Sequence, residues 1–212
     1  MFRPSDGVWY IRESGRTTIR YEQWGINGDI PAAADYNGDD KIDLAVFRPS
    51  NGTWYIKQSD GSIRYINWGF AGDQPVPADY DGDTLTDIAV FRPSNNVWYI
   101  INSSNGISRI QQFGAAGDQV TTEDYDGDGE SDIAIFRPST GFWWTLNSSN
   151  PTNFQARQWG APNDKSVAGD YDGDGIADLV IFRPGNSTWY IQQSSNGIIR
   201  YVRFGISTDV PV

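Results

Sequence analysis

No cysteine and no histidine occur among the 212 residues, and methionine occurs once. Disulfides therefore contribute nothing to stability, although large secreted domains also do without them, so the compartment stays open. The lack of histidine removes the most versatile acid, base and metal ligand. With neither Cys nor His on offer, zinc and copper are poor guests. No stretch approaches the ~20 apolar residues that span a bilayer, so membrane insertion is not expected. No signal-peptide pattern opens the chain. Met1 falls inside a repeat, so the start reads as engineered or trimmed, and native targeting information is missing rather than negative.

Aromatic residues are abundant instead, with nine Trp, eleven Tyr and ten Phe, alongside 23 Gly and 11 Pro. Short strands joined by many tight turns suit that mixture better than helices do. The formal charge of −11 disfavours nucleic acid as a partner. Its distribution is more informative: four short loops hold 17 of the 27 carboxylates and one of the 16 cations. The acidity is local, as metal sites require.

The motif Phe-Arg-Pro-Ser, or Phe-Arg-Pro-Gly in the last copy, begins at Phe2, Phe47, Phe91, Phe136 and Phe182, at spacings of 45, 44, 45 and 46 residues. A period in the forties with strand-like content points to propeller blades of four strands. Apolar residues at helical spacing, which a helical repeat would need, are absent. Within one unit the reading is a first strand over 74–78 with small residues, then an acidic loop. A second strand over 88–92 is apolar on both faces and so buried on both. The third, over 97–102, sets Trp98 and Ile100 opposite Tyr99, and the fourth, over 107–113, is more polar.

The expected fold is thus all-β, a single β-propeller over residues 1–212 with five blades of four antiparallel strands. The units are about 26–69, 70–114, 115–160 and 161–205. The fifth is shared between about 1–25 and 206–212, with residues 209–212 starting its first strand. Such closure removes open strand edges. A slice of a longer array, or a ring of several chains, is the alternative.

The four acidic loops are 35–43, 79–87, 124–132 and 170–178. Oxygen side chains stand at loop positions 1, 3, 5 and 9: Asp35, Asn37, Asp39 and Asp43; Asp79, Asp81, Asp83 and Asp87; Asp124, Asp126, Asp128 and Asp132; Asp170, Asp172, Asp174 and Asp178. The backbone carbonyl at position 7, from Lys41, Leu85, Glu130 or Ile176, can complete a shell. A hard cation such as Ca²⁺ takes ~6–8 oxygens at ~2.3–2.6 Å, whereas Mg²⁺ demands a smaller, stiffer octahedron. Asp-Gly pairs alone would be hairpin turns, but so many carboxylates in nine residues repel one another without a cation. Up to four Ca²⁺ are expected. Loops 124–132 and 170–178 carry the fullest pattern, with Gly129 and Gly175 at position 6, where a positive φ is needed. Asp40 is tolerable there, and Thr84, being β-branched, is less so. Asn37 lowers the charge of the first loop, so both earlier loops should bind more weakly.

These Asp-x-Asp-Gly-Asp-Gly-x-x-Asp loops, the apolar strand after each and pairs such as Trp68-Gly69 and Phe113-Gly114 resemble the FG-GAP, or VCBS-type, repeat. That repeat occurs in integrin α-subunit propellers and bacterial surface proteins, and the resemblance covers nearly the whole chain. It implies calcium at the hairpin between first and second strands, partners on the opposite face and an extracellular or cell-surface setting. Phe-Arg-Pro stands where integrins carry Gly-Ala-Pro, and five blades replace seven, so an integrin-like ligand does not follow.

Arg3, Arg48, Arg92, Arg137 and Arg183 read as structural, each stacking on a Trp or bridging an Asp of the adjacent blade; an anion-gripping ring is the alternative. Trp9, Trp54, Trp98, Trp143 and Trp189 read as packing between blades rather than as sugar platforms. Asp29, Asp73, Asp118, Asp164 and Asp209 read as turn formers. The functional expectation is a non-catalytic calcium-binding scaffold or binding module, monomeric, with a protein or glycan ligand. A lectin propeller is the alternative and a polysaccharide-acting enzyme the remoter one. Unit length varies by only two residues and no acid–base pair stands out, which disfavours catalysis.

Overall fold

The structure, a computed structural model, describes residues 1–15 and 17–209. It is all-β, with no helix among the described residues. The strands form five antiparallel meanders, the blades of a β-propeller. By their contacts the residues group into two compact units, Met1–Asp79 with Asp83–Gln111, and Tyr80–Gly82 with Gln112 onward.

The first unit opens with a sheet of β1 (Phe2–Arg3), β2 (Val8–Arg12) and β3 (Ile19–Gln23). Of the segment 209–212 expected to join it, residues 210–212 lie outside the described residues. A four-stranded sheet follows from β4 (Ile30–Pro31), β5 (Leu44–Arg48), β6 (Thr53–Lys57) and β7 (Ile63–Asn67), then another from β8 (Gln74–Pro75), β9 (Ile88–Arg92), β10 (Val97–Ile101) and β11 (Ser108–Gln112). The second unit holds β12 (Gln119–Val120), β13 (Ile133–Arg137), β14 (Phe142–Leu146) and β15 (Phe154–Gln158). Its other sheet is β16 (Lys165–Ser166), β17 (Leu179–Arg183), β18 (Thr188–Gln192) and β19 (Ile199–Arg203).

The core follows the strand chemistry. In β5, Ala45, Val46 and Phe47 are all fully buried, so both faces of this second strand are covered. Alternation returns in β6, where Trp54 and Ile56 are buried and Tyr55 between them is half-buried. The fourth strands β7, β15 and β19 are largely exposed. In the first unit Phe47, Trp54 and Ile56 pack against Ile88 and Val90 of the next sheet. In the second, Phe136 and Trp143 pack against Leu179 and Ile181. Each such large side chain contributes roughly 1.5–3 kcal/mol by leaving water.

Polar ties lock the layers. The indole of Trp54 donates to the Trp68 carbonyl at 2.9 Å, at the end of its own blade. Trp68 in turn donates to the Tyr99 carbonyl of the following blade at 3.0 Å. The turn before β6 is equally tight: Gly52 has φ +66°, and a Cβ there would sit 2.1 Å from the Gly69 carbonyl oxygen. Only glycine fits.

First strands are shorter than the sequence suggests. Regular pairing covers two residues, after which each continues through a single bridge such as Ala78 with Asp87. Proline is not the cause, since β12 and β16 contain none and behave alike. The bridge nonetheless closes the base of every acidic hairpin, at Ala34–Asp43, Glu123–Asp132 and Gly169–Asp178 as well.

Candidate metal centres in the acidic hairpins

Each acidic loop leaves the short first strand and returns as the buried second strand, so its last aspartate enters the core. Asp43, Asp87, Asp132 and Asp178 are all fully buried. They are held there by backbone donors. Asp132 accepts from the amides of Tyr125 (2.9 Å) and Ser148 (2.7 Å), and Asp178 from those of Tyr171 (3.1 Å) and Ser194 (2.7 Å).

The aspartate at position 1 folds the loop around itself. Asp124 accepts from Gly127 N at 2.6 Å and Gly129 N at 2.9 Å, and Asp170 accepts from Gly173 N and Gly175 N at the same two distances. The position-6 residue has positive φ in all four loops: Asp40 (60°), Thr84 (71°), Gly129 (89°) and Gly175 (89°). Thr84 adopts a left-handed conformation that a β-branched side chain resists, and it carries local strain.

Carboxylate oxygens of Asp124, Asp126 and Asp132 all lie within 4.8 Å of one another, as do those of Asp170, Asp172 and Asp178. Positions 1, 3 and 9 thus converge. Position 5 is engaged elsewhere: Asp128 accepts from Ser148 Oγ at 2.7 Å, and Asp174 from Ser194 Oγ at 2.9 Å. In the first loop Asn37 replaces one carboxylate, Asp39 is bound by Ser59 Oγ, and the Lys41 ammonium reaches Asp39 at 3.2 Å. The boundary between the two units crosses the loop 79–87, and Asp81 is grouped with the second. Within the first unit, Asp79 accepts from Thr84 N at 2.7 Å, Leu85 N donates to Asp83, and Ser103 N donates to Asp87.

The serines that hold the loops were not singled out by sequence reading. Ser59, Ser103, Ser148 and Ser194 recur at one place after each third strand and hold positions 5 and 9 together. Their recurrence was the available signal.

Burial pushes the Asp132 carboxyl up to about 6, and raises Asp43 for the same reason. Backbone donors led by Gly175 hold Asp170 below the usual carboxylate range. Asp126 gives one oxygen to Asn147 (3.0 Å) and Ser149, and Asp172 gives one to Ser195 (2.6 Å). The other oxygen of each, Asp126 Oδ1 and Asp172 Oδ1, is buried with no hydrogen-bond partner. A buried charged oxygen left unsatisfied is costly. Both belong to converging trios, where a hard cation would satisfy them.

The repeated arginines are structural. Arg48 grips Asp29 with two bonds of 2.8 and 2.9 Å, and Arg92–Asp73, Arg137–Asp118 and Arg183–Asp164 repeat the clamp. The partner precedes the first strand of the same blade, not the adjacent one. The guanidinium also lies 4.0 to 4.4 Å from the ring centre of Tyr55, Tyr99 or Tyr190, and over Trp144 in one case, because Tyr follows the core Trp on the outward face. Arg3 pairs with Asp6 and stacks on Tyr10. The same aspartates fix their turns: Asp29 accepts from Ile26 N at 2.9 Å, and Asp209 from Ile206 N at 2.8 Å. Trp54, Trp98 and Trp143 are buried, which removes them as open sugar platforms.

Residues 35–90, 79–135 and 124–181 each match the profile of the FG-GAP-like repeat, together more than half of the chain. No curated protein matches it. Among solved structures, a lectin from Agrocybe aegerita, described as recognising non-reducing terminal N-acetylglucosamine, is 18% identical with a TM-score of 0.59. The match covers 82% of this chain and 51% of that one. Virginiamycin B lyase from Staphylococcus aureus is 15% identical with a TM-score of 0.61, covering 96% of this chain and 65% of that one. The chain therefore spans less than two thirds of either structure, and at these identities the likeness concerns the fold alone.

Proposed function

The chain belongs to the FG-GAP-like repeat family, and on that footing we propose that it is a non-catalytic, calcium-stabilised binding propeller of the extracellular or cell-surface setting. The observation that carries this reading is the pair of buried, unpartnered oxygens on Asp126 and Asp172, each inside a converging aspartate trio. Asp124, Asp126 and Asp132, with the Glu130 carbonyl, would hold one ion; Asp170, Asp172 and Asp178, with the Ile176 carbonyl, another. The ion supplies positive charge to hairpins that otherwise crowd like charges, and so stabilises the fold by mass action. Open loops of this kind suit millimolar external calcium.

A binding rather than catalytic role is supported by where the acids go. Buried carboxylates outside the hairpins, Asp29, Asp73 and Asp164, are each clamped by an arginine, which leaves them turned away from solvent. Isothermal titration of EGTA-stripped protein should show saturable calcium binding, tightest at two sites, with magnesium much weaker. Absence of calcium heat at millimolar concentration, with no change in the melting curve, overturns the proposal.

A further inference from the structure

The repeats act as internal controls for one another, and one blade departs from the rest beside its acidic hairpin. Two residues after the core Trp the third strand carries Ile, which faces an Arg on the fourth strand: Ile11 with Arg20, Ile56 with Arg64, Ile191 with Arg200. In the first unit that arginine covers the hairpin, Arg64 Nη1 lying 3.4 Å from the Tyr36 carbonyl, and Tyr36 is buried. The pair β14–β15 has Thr145 facing Gln155 instead, and its arginine, Arg157, sits opposite Trp143.

A cavity of about 350 Å³ lies where the Ile–Arg pair would be, and Tyr125, the counterpart of Tyr36, borders it. Its volume falls in the range of small-molecule sites. Tyr125 gives it aromatic surface, Ile176 with the buried Trp143 and Leu179 an apolar wall, and Thr145, Gln155 and Gln192 neutral hydrogen-bonding groups. Asn147 also lines it, is 6% exposed, and has its Oδ1 buried without a partner while its Nδ2 is spent on Asp126. No carboxylate lines the cavity, and Arg157 stands exposed at its edge. Hydroxyl donors beside an apolar face are what such a lining recognises, since the buried, unpaired Asn147 oxygen rejects molecules that lack a donor.

We propose that this cavity binds a pyranose residue of a glycan. The proposal extends the reading of the chain as a binding module; because Tyr125 and Ile176 stand in the hairpins and Asn147 bonds to Asp126, the sugar is titrated with and without calcium. The test is NMR titration of the full chain with methyl glycosides of glucose, galactose, mannose, N-acetylglucosamine and glucuronic acid, run in calcium and again in EGTA. At least one should give saturable shifts at the Trp143 indole and the 145–157 backbone. Thr145→Ile with Gln155→Arg rebuilds the pair of the other blades, so it should fold, keep calcium binding and weaken the sugar at least tenfold. Shifts elsewhere, no saturable binding of any glycoside, or unchanged affinity in the double variant would each overturn the assignment. Should the variant not fold, the location of the wild-type shifts decides alone. Sugar binding that persists in EGTA, or calcium binding without sugar, separates this proposal from the calcium reading.

Discussion

Removing calcium should lower stability, and it should also reverse the sign of the pH dependence. In the ion-free hairpin the fully buried Asp132 is pushed up to about 6 from an ordinary value near 3.8. A shift of about two pH units corresponds to at most about 3 kcal/mol of penalty once the carboxyl ionises. The folded state then binds more protons than the unfolded chain between about pH 4 and 6. Stability of the stripped protein must therefore fall as pH rises through that window and recover on acidification to pH 5. Burial pushes Asp43 the same way. With calcium present the slope inverts, because protons now displace the ion. At 100 times its dissociation constant each ion adds about 2.7 kcal/mol, and at roughly 2–4 °C per kcal/mol for this chain length two sites raise Tm by about 10–20 °C at pH 7. Calorimetric melts at pH 5 and 7, in EGTA and in millimolar calcium, measure all four corners. The same pH slope in both conditions, or a melting temperature indifferent to EGTA at pH 7, refutes the reasoning.

Two substitutions test the scaffold. Arg92→Ala leaves Asp73, whose side chain is 1% exposed, buried without its bidentate partner, and should cost about 3–5 kcal/mol in urea unfolding; a loss under about 1 kcal/mol would show the clamp to be ornamental. Thr84→Gly relieves a β-branched residue at φ 71° and should stabilise the protein by about 1 kcal/mol while tightening calcium at loop 79–87; a lower Tm would mean that Thr84 holds contacts worth more than its strain.

Much of this was legible in the sequence because the repeat multiplies every signal. The apolar run Ile88–Arg92 and the alternation at Trp98, Tyr99 and Ile100 gave the second and third strands with their burial. Position 6 announced its positive φ through Gly129 and Gly175, and the less comfortable Asp40 and Thr84 adopt it too. What escaped was the identity of the partners: an Arg–Asp bridge was expected, but to the adjacent blade. Nothing local says that Arg48 reaches 19 residues back to Asp29 in its own blade. Likewise Ser148 reads as a turn residue until folding sets its hydroxyl on Asp128, 20 positions earlier. The Thr145–Gln155 departure lay in plain view, but its meaning needs the β14–β15 register, which spacing alone does not supply.

Position 7 of the hairpins would serve the proposed ion site and the packing at once. Only its carbonyl is offered to a cation, so the side chain is unconstrained by ligation, and Leu85 and Ile176 occupy it. Within the first unit Leu85 lies over Gly38 of the preceding hairpin so closely that a Cβ there would come within 2.5 Å, and Thr86 N donates to the Asp35 carbonyl at 3.0 Å. The second unit repeats both contacts, Ile176 over Gly127 and Ala177 N to the Asp124 carbonyl at 2.7 Å. A residue whose carbonyl would face the proposed ion in one hairpin thus presses on the loop of the preceding hairpin. Well-packed interiors transmit such displacements instead of absorbing them. The glycine at position 4 is favoured by its positive φ in every hairpin, and at Gly38 and Gly127 by the neighbour's side chain as well. A cation that fixes one loop therefore also fixes the surface on which the following blade packs.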